Sequence, residues 1–339
     1  MRRRLAGAIL GFGNVAEHGH LGAWRAREDV ELVAVAEPDA DRRARAASLL
    51  PHVACYADAA TLLRRESIDF VDIAAPPALH APLIVAAAAA GVHVLCEKPL
   101  VVSLAELRRV RDAIARAGVT LFTVHNWTYS EPYRRVRELV DAGAIGKLAS
   151  IGIEVTRDGC AAAADNGWRT RGTLAGGGIL VDHGWHAFYL VLAFAAQRAV
   201  SVRAEFDRRR YVTADVEDTA HCTIEFPTVK ARLDLTWAGD RRHTAWHLRG
   251  DAGEIRAADD RIEARHGGRT EALVCAESLS DGSHHPAWFG AVIEAFRREI
   301  DEPGARGANF AEAEQCLRLL AGAYASGADG GRPHVLRSA

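Results

Sequence analysis

Between Leu5 and Val124 the chain alternates short apolar runs with helix-like stretches. The apolar runs are LAGAIL, ELVAVAE, FVDIAA, VHVLCE and VTLFTV, separated by stretches such as DADRRARAASLL and PLIVAAAAAG. Alternation on this scale restricts the chain to βαβ units and a parallel sheet. The runs are apolar almost throughout, as strands covered on both faces require. From about Leu148 the texture changes. A helix-like stretch near 182–195 is followed by SVRAEF, TAHCTIEF, VKARLDLTW, HTAWHLRG, GEIRAA, RIEARHG and TEALVCA, several of them separated by Gly or Pro turns. Consecutive strands joined by short turns pair antiparallel. Helices are expected over 287–300 and 309–326. The layout is a nucleotide-type α/β domain over 1–125 and an α+β domain over 126–339, with a C-terminal segment that either stays there or packs back on the first domain.

The 339 residues are enough for two domains, and 49% hydrophobic with 25% charged residues is the balance of a soluble globular protein. A net charge of −2 gives no electrostatic case for nucleic acid or an anionic membrane. Apolar stretches are read as broken before the ~18 residues of a membrane span. The start, MRRRLAGAIL, runs into GFGN with no small-residue cleavage site and does not read as a signal peptide. The six cysteines are scattered with no C-x-x-C pair, which argues against a disulfide scaffold and leads to a cytoplasmic expectation.

The segment AILGFGNVAEHG puts Gly11, Gly13, Asn14 and Val15 directly after the first strand. In a dinucleotide turn the first glycine makes the bend and the second lets backbone approach a pyrophosphate, while Ala16 in the third place still permits close helix–strand packing. The helix start then offers unpaired N–H groups to the phosphates. Glu37 closes the second strand 26 residues after Gly11, near the spacing at which an acid meets the adenosine ribose. The alternative is a solvated acid at a strand end. Arg42 and Arg43 come later, on the next helix, so NAD is favoured over NADP.

The segment HVLCEKPL places Glu97, Lys98 and Pro99 at the carboxyl end of another strand, the edge along which open α/β sheets bind ligands. A residue before proline is pushed out of the helical region, so Lys98 either points toward that crevice or is a surface lysine with Glu97 as its partner.

With GFGNVA at 11–16, AAPPALH at 74–80, CEKPL at 96–100, GGGILVDHGWH at 176–186 and GGRPHVL at 330–336, the chain resembles the glucose–fructose oxidoreductase / inositol dehydrogenase (Gfo/Idh/MocA) family. The resemblance implies an N-terminal Rossmann domain, a C-terminal domain with a large, mostly antiparallel sheet, and oxidation or reduction of a sugar, cyclitol or related polyol. It implies a homodimer or homotetramer packed through that sheet. It places Ala75, Pro76 and His80 beside the nicotinamide half of the cofactor, and Glu97 and Lys98 by the nicotinamide ribose and substrate. Asn126 falls where the family often has NRRF; Trp127, Thr128 and Tyr129 depart from that pattern, which bears on the substrate.

In LVDHGWHAFYLVLAF, Asp182 and His186 are four apart and share one face if a helix begins near Leu180. A carboxylate can hold the imidazole in one tautomer, and an imidazole suits proton transfer to or from a carbinol near neutral pH. The resemblance makes His186 the acid/base and Asp182 its partner. The plain alternative is a satisfied core histidine. Gly176–Gly178 either let backbone approach a ligand or mark a turn. His183, with His186 and either His125 or Asp182, could form a metal set, but hydride transfer to a nicotinamide needs no metal; His183 reads as a substrate contact or a packed neighbour. Arg169 in GWRTRG reads as a substrate contact or an ordinary loop residue. His285 before a helix either reaches the pocket or caps that helix.

The expected function is an NAD-dependent dehydrogenase or reductase acting on a CH–OH group of a sugar or cyclitol, with Lys98, Asp182 and His186 as its catalytic set. The rivals are an NAD-retaining epimerase or eliminating glycosidase, an NADP-linked ketosugar reductase, and a sensor that keeps the fold without chemistry.

Overall fold

The computed structural model describes residues 3–160, 167–282 and 284–337. By contacts the chain divides into two units: Met1–Asn126, Ala163–Trp168 and His284–Glu314 in the first, and Trp127–Ala162, Arg169–Ser283 and Gln315–Ala339 in the second.

The first unit runs β1 (Leu5–Leu10), α1 (Leu21–Arg25), β2 (Val30–Ala36), α2 (Ala40–Leu49), β3 (Ala54–Tyr56), α3 (Ala59–Arg65), β4 (Phe70–Ile73), α4 (His80–Ala89), β5 (His93–Cys96), α5 (Leu104–Ala117) and β6 (Leu121–Thr123). The strands form one parallel sheet in the order β3-β2-β1-β4-β5-β6. The order reverses between β1 and β4, the switch point at which such sheets bind ligands beyond their carboxyl ends. The strand β3 was not foreseen; its three residues are too few to show a pattern. Asp39, Asp58 and Ser103 cap α2, α3 and α5 by accepting N–H groups of Arg42, Thr61 and Glu106.

The second unit opens with α6 (Glu131–Asp141), β7 (Leu148–Thr156), α7 (Gly172–Ala175) and α8 (Trp185–Ala195). The strands β8 (Ser201–Asp207), β9 (Thr219–Glu225), β10 (Lys230–Thr236), β11 (His243–Gly250), β12 (Gly253–Ala258), β13 (Arg261–His266) and β14 (Arg269–Val274) follow. After α9 (Pro286–Asp301), of the first unit, come α10 (Ala308–Ala328) and β15 (His334–Val335). The nine-stranded sheet has the order β14-β13-β12-β11-β7-β10-β9-β8-β15, and only β7 with β10 is parallel. The sequence shows β7 only as a change of texture, yet it lies at the sheet's centre. Trp185, Phe188, Tyr189 and Leu190 of α8 are fully buried, which explains an apolar helix with almost no polar face.

One expectation about apolar runs needs correction. Gly172–Ala195 is long and apolar enough to cross a membrane by length and composition alone. Its apolar window is 83% buried in the protein, the condition of a core helix.

Candidate active site

Gly11, Gly13, Asn14 and Val15 lie just beyond the carboxyl end of β1, and Ala75–Pro76 just beyond that of the adjacent β4. Gly11 has φ +91°, and a Cβ there would press on the backbone of Ala74 and Ala75 at 3.0 Å, so bend and packing both demand glycine. Gly13 differs. A Cβ there would approach only the tip of Arg42, at 3.3 Å. Internal packing does not require glycine at that point, whereas close approach of a pyrophosphate does. The residues present therefore fit a dinucleotide.

Glu37 is buried. Its Oε2 accepts the Phe12 N–H at 2.6 Å and its Oε1 the Asp39 N–H at 2.9 Å. The acid thus fixes the glycine turn itself. Two carboxylate oxygens accept about four bonds in all, so a ribose diol can still be received. Arg43 turns back to the carbonyls of Glu37 and Pro38 at 2.7 and 3.0 Å.

His80 is fully buried and ties two of the candidate loops together. Its ring nitrogens lie 2.8 Å from the Ala75 carbonyl and 2.7 Å from that of Pro99. Burial lowers its pKa in spite of those carbonyls. At the end of β5, Glu97 Oε2 accepts the Lys98 amide at 3.0 Å. Its Oε1 faces His20 Nε2 at 3.0 Å, and the other nitrogen of His20 faces Asp72 Oδ2 at 2.9 Å. Trp24 Nε1 donates to the same Asp72 oxygen at 2.7 Å. The sequence reading missed His20 and Asp72. Their signal was available: an acid inside the buried strand FVDI must have a partner.

In the second unit the helical run expected from near Leu180 opens as a wide π-type turn, Leu180–Gly184, before α8 begins. The four-residue offset of Asp182 and His186 therefore crosses a change of pitch. The Asp182 carboxylate lies 3.3 Å from His183 Nδ1 and 4.0 Å from Arg169 Nε. His186 Nδ1 is 2.7 Å from the Tyr189 hydroxyl, which also accepts the Trp127 N–H at 3.1 Å. The Trp127 ring stacks on His186 at 4.8 Å. Three residues singled out in the sequence, Asp182, His183 and Arg169, thus form one group. Two others, His186 and Trp127, meet through Tyr189, which was not foreseen.

Gly176 marks a turn, and Gly177 and Gly178 also answer to internal packing. Gly176 ends α7 in a left-handed conformation, a Cβ on Gly177 would collide with the Tyr324 hydroxyl, and one on Gly178 with the Glu217 carbonyl. The Glu217 carboxylate accepts the N–H groups of Gly178 and Leu180 at 3.1 and 3.0 Å, and the Tyr324 hydroxyl at 3.0 Å. Glu217 is buried, which raises its pKa.

The remaining candidates belong to the first unit. Asn126 keeps a buried Oδ1 with no hydrogen-bond partner. His285 occupies the N-cap position of α9 with its ring stacked on Trp288 at 3.7 Å. His125 Nδ1 lies 2.5 Å from Glu312. Among the described residues no group of three His, Cys, Asp or Glu side chains suits a metal ion.

A glycine turn at a sheet switch point, an acid closing β2 and a Lys-bearing turn after β5 define a dinucleotide-binding oxidoreductase. Residues 5–125 match the model of the oxidoreductase family with an NAD-binding Rossmann fold, and residues 133–256 the Gfo/Idh/MocA C-terminal domain. The dTDP-3,4-didehydro-2,6-dideoxy-α-D-glucose 3-reductase of Streptomyces violaceoruber is 31% identical over 75% of this chain and 72% of its own length. The D-apiose dehydrogenase of Paraburkholderia graminis is 37% identical over 42% of this chain, but the match spans only 38% of that protein. An oxidoreductase from Agrobacterium radiobacter, solved with NAD+, L-tartaric acid and magnesium, shares the fold with a TM-score of 0.86 at 21% identity, covering 98% of both chains. The chain belongs to the Gfo/Idh/MocA family of oxidoreductases.

Proposed function

We propose that this protein moves a hydride between a secondary alcohol, or the matching ketone, of a sugar or cyclitol and the nicotinamide of NAD. When bound, the nicotinamide supplies the hydride acceptor or donor. His186 exchanges the hydroxyl proton through Nε2, because Nδ1 is engaged by Tyr189. The Tyr189 hydroxyl can donate to Nδ1 or accept from it, so the ring is supported in either tautomer and the proton can move in either direction. This place of His186, buried, stacked on Trp127 and with Nδ1 against the Tyr189 hydroxyl, is the observation that carries the reading. Lys98 donates to the carbinol oxygen and stabilises developing alkoxide charge. Arg169, with Asp182 and His183, binds substrate hydroxyls. The names of the relatives support a sugar substrate.

A screen of sugars, cyclitols and sugar nucleotides with NAD, followed by absorbance of the reduced nicotinamide, tests the class. His186→Asn should then lower turnover of the best substrate by roughly 10²–10⁴-fold with NADH affinity kept. Wild-type rates for both His186→Asn and Lys98→Met would overturn the assignment.

A second reading, NADP, has one observation in its favour: the Arg42 guanidinium, a group that suits a 2′-phosphate, lies beside Gly13 of the glycine turn. Dissociation constants for NADH and NADPH separate the two. We further propose self-association into a dimer or tetramer through the second unit's sheet, as the resemblance implies; a monomer in sedimentation would refute it.

A further inference from the structure

We propose that His20 is a positioning residue for the turn that carries Lys98: its ring, bridging Asp72 and Glu97, holds the Glu97 carboxylate on the Lys98 amide. The proposal deepens the reading of Lys98 given above and rests on it. The two ring nitrogens face two carboxylates, at 2.9 Å and 3.0 Å. A neutral imidazole has one N–H and can serve only one of them, whereas the imidazolium serves both. Burial pulls the ring's pKa down, but the Asp72 charge and the hydrogen bonds of Asp72 and Glu97 carry it up to about 9. Both ends of the chain of contacts are anchored: Trp24 donates to Asp72, and Glu97 receives the Lys98 amide on its second oxygen. Phe289 lies parallel to the imidazole at 3.8 Å and holds its plane.

The other titratable groups around this cluster leave the cation to His20. Burial pushes the Cys96 thiol, at the end of β5, well up and the His80 imidazole, on α4, down, so both are neutral near pH 7. Lys98 supplies the remaining charge that Glu97 feels. Without the imidazolium, two buried carboxylates would lose the cation between them. Asp72 is fully buried and keeps its Trp24 bond, while Glu97 is 14% exposed and can turn away or take up a proton. The Lys98 amide would then lose its acceptor.

The sequence supplies an internal control, since its only lysines are Lys98, Lys147 and Lys230. Trace labelling of the full chain with acetic anhydride at pH 8, read by peptide mass spectrometry, gives the reactivity of Lys98 relative to Lys147 and Lys230. His20→Gln should change that ratio by fivefold or more. In a Glu97→Gln background the same substitution should change it by less than twofold, because the route through Glu97 is already cut. If His20→Gln does not fold, Asp72→Asn, which preserves shape, completes the same cycle. An unchanged ratio in a destabilised but folded variant, or an equal change in both backgrounds, would show that the cluster only ties helix to sheet and overturn the proposal. Full turnover by Lys98→Met would remove the catalytic reading of the lysine without deciding the labelling result, so the two failures are distinguishable.

Discussion

The hydroxyl of Tyr189 is a small group with a large share in the reading of His186. It accepts one backbone N–H and meets the imidazole at the nitrogen away from the proposed proton transfer. Tyr189→Phe should therefore keep the fold and lower kcat about five- to tenfold, the worth of a hydrogen bond of about 1–1.5 kcal/mol. An unchanged kcat would show that stacking on Trp127 is enough to orient the ring. The His20 cation makes a separate prediction about stability. Its pKa rises from 6.5 to about 9 on folding, so its contribution is complete below pH 6.5 and is lost as pH climbs through 9. A shift of that size corresponds to about 3 kcal/mol. The urea midpoint of the wild type should fall between pH 6.5 and 9.5, and that of His20→Gln should fall much less; parallel slopes would refute the assignment. Gly11, Gly13, Glu37 and Lys98 were legible in the sequence because each sits at a strand end that the apolar pattern marks. His20 was not, because its partners are 52 and 77 residues away, and periodicity shows which face is buried without showing who meets whom.

At the scale of elements, both candidate regions contain a widened helical turn, Ala16–His20 after the glycine loop and Leu180–Gly184 before α8. Wide turns of this kind are rare and cluster at functional sites. The apolar run of α8 was readable; the change of pitch before it was not, since it depends on where Glu217 grips the backbone. All three donors to that carboxylate reach the same oxygen, Oε1. A glutamine can present a carbonyl oxygen in that place. Glu217→Gln should accordingly be nearly neutral, while Glu217→Ala leaves three donors without their acceptor and should cost about 2–4 kcal/mol. Thermal unfolding of the two variants checks this, and equal losses would mean that the charge, rather than the acceptor, matters. The expected division at residue 125 followed the end of the alternating strand–helix pattern at Val124. The helix α9 carries no mark of the unit it joins, because an amphipathic face does not name its partner.

At the scale of the molecule, the first unit is assembled from separated parts of the chain. From α9, Phe289 stacks on His20, Phe296 packs against Phe70 and Phe122, and Arg297 reaches the Arg3 carbonyl at 2.6 Å and Asp29 at 3.4 Å. Native-state hydrogen exchange should therefore find the amides of β1, β4 and α9 opening with one shared free energy. Exchange from α9 at a much lower free energy would show it to be an appendage. The same arrangement sets a timetable for synthesis. Six strands of the first sheet emerge from the ribosome early, but residues 284–314 follow only after residues 127–283 have been made, a wait on the order of ten seconds at ordinary rates. During that wait Phe70 and Phe122 lack their Phe296 cover, and the His20 ring lacks the aromatic face that holds it flat. The nascent first unit is therefore open to chaperones and to misassociation until residues 284–314 have been made, and a stop codon after β14 would strand it in that state.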